Sequence, residues 1–406
     1  MQSPRNSILF LGLLSAFSLL TFDLYQPSLP SITNYFEISP SLGQLSLTIY
    51  LIVYGAMHLV WGPLVDHYGR RRLLPGNLLI ALIGSLLCAY AGNIYMLLIG
   101  RSLQGFALCC ANLIAYSSSR DYEEANDRAK VISYINMTVS ISPIIAPVFG
   151  AILFSYMGWQ ANFIVMAIVS LVLMIQSNKS LVESPYWTPP KVAFSLQQVI
   201  NAYKAILPRP TLWYSSLIMM FSFSAVMLTV INSSYLIIDV LNYSPLAYGI
   251  IFIFNGLNII FGNYLGIWLR KYLRMQTSIY IGHCFIIFGG IAMLLVTKLY
   301  EFNLVAFSFS LISNLGISIS APPTMSLALD DFAENPGIAT GFINTLRLIG
   351  SSLCTILIGY WLINDLDALP VGLILTGFGA LIFSRQFNKR SNPSVSSNLA
   401  GKEITT

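Results

Sequence analysis

Apolar residues fall in long runs separated by short polar turns. The runs lie near 7 to 31, 43 to 64, 73 to 91, 94 to 119, 131 to 156 and 161 to 177. After a polar interval they resume near 211 to 236, 246 to 270, 276 to 297, 303 to 329, 337 to 363 and 366 to 385. Each is about the 20 residues that an α-helix needs to cross a hydrocarbon core about 30 Å thick. The pattern predicts an all-α membrane protein with twelve spans in two groups of six. The predicted organisation is a six-helix bundle over 1–177, a linker over 178–210, a second six-helix bundle over 211–385 and a disordered tail over 386–406. Within the linker, SLQQVINAYKAIL has apolar residues at helical spacing and predicts a surface helix. RKYLR at 270–274 repeats the basic turn at 66–72 about 200 residues later, a weak internal repeat of the kind two related bundles leave.

Composition agrees, with 56% hydrophobic and only 9% charged residues and a mean hydropathy of +0.71, where soluble chains carry about 25% charged residues. Lysine and arginine provide an independent test, because short cytoplasmic loops collect positive charge. With the amino terminus inside, the clusters at Arg70–Arg72, Arg120–Lys130, Lys179–Arg209, Arg270–Arg274 and Arg385–Lys402 are all cytoplasmic, and Lys298 alone is outside. The net charge of +5 therefore reports topology and does not point to nucleic acid. Residues 7 to 22 resemble a signal-peptide core, but the run continues through Pro27 to Ile32 without a small-residue cleavage pattern, so it predicts a retained first helix. The five cysteines fall inside spans with neither paired nor metal-ligand spacing and predict small packing residues. Nucleotide-binding loops, metal-ligand clusters and nucleophile motifs are absent from the sequence, which argues against an enzyme and against any cofactor other than a coupling proton.

GPLVDHYGRRRLL, Gly62 to Leu74, concentrates three arginines, an aspartate and two glycines where a hydrophobic hairpin turns. Glycines permit a tight turn and close helix contact, and the cations fix which side is cytoplasmic. A positively charged stop after a membrane helix accounts for the arginines but not for the spacing of Gly62, Asp66 and Gly69. The stretch resembles the signature loop of the major facilitator superfamily, with Gly62, Asp66, Gly69, Arg70 and Arg71 in its slots and His67 in place of a lysine or arginine. That resemblance implies a gating role, in which Asp66, Arg70 and Arg71 engage Asp121 at the end of helix four as a cytoplasmic latch. Solvated charges worth about 0–1 kcal/mol each are the alternative.

Charges inside spans are costly, about 2.5–3.5 kcal/mol at a helix centre, and so usually face a partner or a wet cavity. Asp23 lies roughly 24 Å from the inner end of helix one, and Arg101 roughly 10 Å from the outer end of helix four, at similar depth. They are either functional or a structural ion pair locking the two helices. TFDLYQPSLP, with Asp23, Tyr25, Pro27, Leu29 and Pro30, resembles the first helix of the superfamily's drug:proton antiporters, especially the bicyclomycin and chloramphenicol resistance group. LIGRSLQGF is similar to their helix-four motif, whose arginine is associated with proton transfer. The resemblance thus implies Asp23 and Arg101 as the proton-coupling pair. Desolvation disfavours a charged carboxylate and a nearby arginine favours it, so substrate arrival can tip the balance.

SPIIAPVFGA in helix five resembles the antiporter motif: Pro147 and Gly150 match, while Ser142, Ala146 and Ala151 replace glycines. Small residues there allow close helix packing; a proline-kinked packing helix without directional meaning is the alternative. Arg347 in helix eleven has no acid near it in sequence and either binds substrate, pairs with a helix C-terminus or snorkels along its neighbours. Two arginines against one carboxylate favour neutral, zwitterionic or acidic compounds. Tyr25, Met137 and Asn232 complete the expected substrate cavity, whereas His58 and His283 read as packing residues. The resemblance implies a monomeric multi-pass protein of the inner (plasma) membrane, both termini cytoplasmic, exporting small drug-like molecules against inward proton flow. Proton-coupled uptake of a solute is the other reading.

Overall fold

The computed structural model describes residues 4–121, 125–184, 187–188, 194–332, 336–362 and 365–390. Of the disordered tail expected over 386–406, residues 386–390 instead continue the last helix, and the rest, like much of the proline-rich part of the linker, lies outside the described residues. Among the described residues twelve helical segments are long and apolar enough to cross a membrane. The first, Ile8–Tyr35, combines α1 (Pro4–Asp23), a tight turn at Gln26–Ser28 and α2 (Leu29–Tyr35). Then follow α3 (Pro40–Tyr68), α4 (Arg70–Ala89), α5 (Ile94–Ser117), α6 (Ala125–Met157) and α7 (Gln160–Ser180). The short α8 (Leu196–Ile206) covers the predicted surface helix. The remaining spans are α9 (Pro210–Ser234), continued as a wider π turn over Tyr235–Val240, α10 (Pro245–Leu269), α11 (Met275–Tyr300), α12 (Leu304–Asp330), α13 (Pro336–Leu362) and α14 (Ala368–Arg390). In each unit the turns that carry the clustered lysines and arginines, the Gly69 turn in the first and α8, the start of α11 and the end of α14 in the second, are termed here the basic face.

Proline chemistry shapes the first span. A proline lacks an N–H and its ring clashes with the carbonyl four residues back. Pro27 therefore prevents the helix from continuing past Asp23, and Pro30 sits in the first turn of α2, where a missing N–H costs nothing. Prolines end the helix without ending the span, which runs to Tyr35.

The chain divides into two compact units. The first takes in the amino-terminal part to Ser195 with Val230–Leu257 and Thr355–Ile363; the second takes in Leu196–Thr229, Asn258–Cys354 and the last span. The ends of α9, α10 and α13 away from the basic face are thus compact with the first six spans. In the second unit, Ile206 of α8 joins Leu212, Ile218, Ala328, Phe332, Ile343 and Phe387 in one apolar cluster, which anchors the amphipathic helix. Large apolar side chains such as Ile83, Ile99, Phe254, Phe288 and Leu357 remain exposed, as a lipid-facing surface requires. The packing role expected of the cysteines holds for Cys88, Cys109 and Cys110, which are buried, but not for Cys284, which is exposed on α11.

Candidate functional site

The break in the first span exposes polar groups to the interior, and Asp23 stands at its edge. Gln26 Nε2 donates to Asp23 Oδ1 at 2.9 Å, and Tyr248 Oη on α10 donates to Gln26 Oε1 at 2.9 Å. Tyr248 also shares a hydrogen bond with Ser233 Oγ at 3.0 Å. Asp23 is 5% exposed, and its Oδ2 is buried with no hydrogen-bond partner. A continuous polar chain therefore runs from the aspartate through Gln26 and Tyr248 to α9.

Arg101 does not join that chain, and no ion pair links it to Asp23. The structural ion-pair alternative is thereby corrected. Its guanidinium is caged: Nε donates to the Ser46 carbonyl at 3.2 Å and Nη1 to the Thr21 carbonyl at 3.1 Å and to Gln104 Oε1 at 2.5 Å. It also lies 4.6 Å from the Tyr25 ring centre and 4.5 Å from that of Tyr50, inside cation–π range. Thr21 is near the end of α1, where helix carbonyls lack their usual donors, so the break itself supplies an acceptor for the arginine. Nη2 has no partner. Tyr25, expected in the substrate cavity, is fully buried as one wall of this cage, its hydroxyl 2.8 Å from Ser46 Oγ and its ring 5.0 Å from Phe163.

Around the break the helices approach to backbone contact. A side chain on Gly150 would strike the carbonyl of Leu24. Beyond it, α6 meets α10. A methyl group on Gly249 would lie 2.9 Å from Val148 Cα and 3.1 Å from the Pro147 carbonyl, and one on Gly256 would run into Ile144. Close contact at the degraded motif of α6 is thus supplied by glycines of α10, a compensation no reading of α6 alone reveals.

On the basic face, Gly69 adopts φ +82° between α3 and α4, a conformation glycine alone adopts without strain. A side chain there would also meet Glu183 Oε2 at 2.7 Å. Gly62 has no such constraint: a methyl group would touch nothing within 4 Å, so close packing does not account for that glycine. Arg70 pairs with Asp121 and donates to Ser118 Oγ at 2.6 Å. Glu183 accepts from the backbone N–H groups of Arg70 and Arg71 at 3.2 and 3.0 Å, capping α4. Ser184 donates to Asp121 Oδ1 at 2.7 Å. Arg71 does not reach Asp121; its guanidinium donates to the Asn178 carbonyl at 3.4 Å. Asp66 is exposed. These contacts thus join the start of α4 to the short turn Ser118–Asp121 that follows α5, to the end of α7 and to the start of the linker.

The remaining candidates are divided between the two units. Asn232 is fully buried, beside Gly359 and Gln44. Met137 is 64% exposed on α6. Arg347 belongs to the second unit, where its guanidinium lies 4.8 Å from the Phe223 ring centre. His58 and His283 are buried and hydrogen-bonded, His283 between Ser222 and Ser384 at 3.1 Å each. Gln26 and Gln104 sit within the TFDLYQPSLP and LIGRSLQGF motifs, three residues after the charges they serve. Glu183, Tyr248, Gly249 and Gly256 carried no local signal.

The model of the Major Facilitator Superfamily matches residues 11–355. The chain belongs to this superfamily. It is a membrane transporter rather than an enzyme. Relatives include the "Uncharacterized MFS-type transporter YdgK" of Bacillus subtilis (strain 168), 26% identical over 369 residues that cover 90% of each chain. Another is the "Multidrug resistance protein MdtL" of Shigella flexneri serotype 5b (strain 8401), 28% identical over 339 residues and 82% of each chain. Solved structures share the fold. A D-xylose-proton symporter superposes with a TM-score of 0.76 at 14% identity, covering 93% of this chain and 97% of its own. A bacterial homologue of the human lysosomal transporter Spinster reaches 0.74 at 14% identity, covering 97% and 98%.

Proposed function

We propose that this transporter exports small drug-like or toxic compounds in exchange for protons, working as a monomer in the inner (plasma) membrane. The basic face is cytoplasmic on this reading, with both termini there, since that face gathers the lysines and arginines. The observation that carries the proposal is the state of Asp23: buried, tied through Gln26 to Tyr248, with one oxygen unpartnered and no arginine bound to it. An ionised carboxylate so placed bears an uncompensated desolvation cost of several kcal/mol. A proton on Asp23 removes that cost and favours the packed arrangement in which α10 meets α6. Loss of the proton leaves a bare charge, which opening toward water relieves. Export needs this order: uptake of a proton at the outer side, closure there, and displacement of the proton by the arriving compound at the basic face. The multidrug resistance relative favours drug-like cargo. The test is susceptibility across a broad compound panel in a bacterium stripped of its own pumps, with wild type and Asp23→Asn at matched expression. Wild-type resistance that disappears in Asp23→Asn supports the proposal. Gradient-driven transport that survives the substitution would remove Asp23 as the coupling site, and net accumulation of compound in intact cells would turn the reading to proton-coupled uptake.

A further inference from the structure

The start of α11 and the end of α14 enclose a cavity of about 640 Å³ that the transport reading does not use. It is lined by Arg274, Gln276, Thr277, Tyr280, Arg385, Asn388 and Lys389. Three of these are cations, and among the described residues no carboxylate pairs with them. Gln276 and Thr277 lie in the first turn of α11, whose N–H groups have no helical acceptor and present the positive end of the helix dipole. The decisive group is Asn388. Its side chain lines the cavity and is 8% exposed, yet neither its Nδ2 nor its Oδ1 has a hydrogen-bond partner. Leaving a buried amide unsatisfied is costly, and native interiors pair almost all such groups.

We infer that this cavity binds a phosphate-bearing anion, held by Arg274, Arg385 and Lys389, by the first-turn N–H groups of α11, and by the Asn388 amide. An arginine fork matches phosphate oxygens two at a time, and a helix start adds oriented N–H donors. The Asn388 Oδ1 accepts from a hydroxyl on the same ligand, which fits a phosphate esterified to glycerol. The cavity lies at the boundary of two spans, with α11 beginning at Met275 and the last span ending at Lys389. That is the depth of lipid phosphates, so an anionic headgroup and a free phosphate ester are the two sources of the same chemistry. The inference rests on the basic face being a membrane–water boundary and is independent of transport direction and proton coupling.

The test uses full-length protein purified in detergent, with Arg274→Gln/Arg385→Gln, Asn388→Leu and, as a control of equal chemistry elsewhere on the basic face, Lys204→Gln. Native mass spectrometry compares retention of phosphatidylglycerol with that of phosphatidylcholine. Each arginine near an anionic lipid contributes about fivefold, so the double variant should lose about thirtyfold in preference for phosphatidylglycerol. Asn388→Leu should lower it further relative to Lys204→Gln, which should match wild type. A second arm compares thermal unfolding in glycerol 3-phosphate and inorganic phosphate with chloride at equal ionic strength. A phosphate-specific rise in Tm abolished by the double variant, without lipid preference, assigns the site to a soluble ester. Equal lipid retention by all variants together with no phosphate-specific shift overturns the inference. Because neither arm involves transport, its failure and that of the export reading are separable.

Discussion

Arg101 shows how one buried charge is housed without a counter-ion. Three donated hydrogen bonds and two aromatic faces surround it, and all depend on a planar fork rather than on charge alone. Arg101→Lys should therefore fail nearly as badly as Arg101→Met. Each is expected to lose about 1–3 kcal/mol of stability, since the Thr21 and Gln104 acceptors are left unsatisfied in the interior. Melting of the purified variants by tryptophan fluorescence checks this; a lysine variant that melts with wild type would show that charge, not geometry, is what the site requires. That Asp23 and Arg101 would need polar surroundings inside the spans was legible in the sequence, because an ionisable residue in an apolar run is expensive. Their separation was not. Whether two charges at similar depth face each other depends on helix rotation, and here Tyr25 and Tyr50 claim the guanidinium while Gln26 claims the carboxylate. Tyr248 was hidden for a simpler reason: one tyrosine among 22 in apolar surroundings looks like any lipid-facing aromatic.

Helices α6 and α10 meet through backbone, which makes their contact sensitive to single atoms. In lipid no hydrophobic force joins helices, and association rests on packing that small residues permit. Gly249→Val should push Val148 and Pro147 away and hold the contact open, whereas Gly62→Ala, with nothing within 4 Å to meet, should be silent. Labelling of a cysteine placed at Tyr248 or Ser233 by a water-soluble maleimide reports the difference; both positions are buried in the packed arrangement. Increased labelling in the Gly249 variant and none in the Gly62 variant is the expected result, and equal protection in both would show that the approach of α10 is not limiting. Spans themselves were readable because length and hydropathy suffice to define them, but the break that Pro27 and Pro30 impose on the first span was not predicted. Partner choice between spans was not readable. SPIIAPVFGA lacks three glycines of its family pattern, and only the position of α10 reveals that Gly249 and Gly256 stand in for them.

The start of the linker is a structural part of the first unit. Glu183 caps α4 and Ser184 holds Asp121, so the chain that leaves α7 is stitched to the Gly69 turn before it sets out for α8. Glu183→Gln keeps the size of the side chain but replaces a charged acceptor at a helix start with a neutral one, weakening both the cap and the attraction to Arg70. Loss of a cap costs about 0.5–2 kcal/mol, which raises local opening by about twofold to thirtyfold. Hydrogen exchange at residues 70–74 and 181–184 should accelerate by that factor while α11 to α14 exchange as in wild type, and the transport rate should fall with substrate affinity unchanged. If exchange in those two segments stays at the wild-type rate, the brace is held by Arg70 and Asp121 alone and the linker has no part in it.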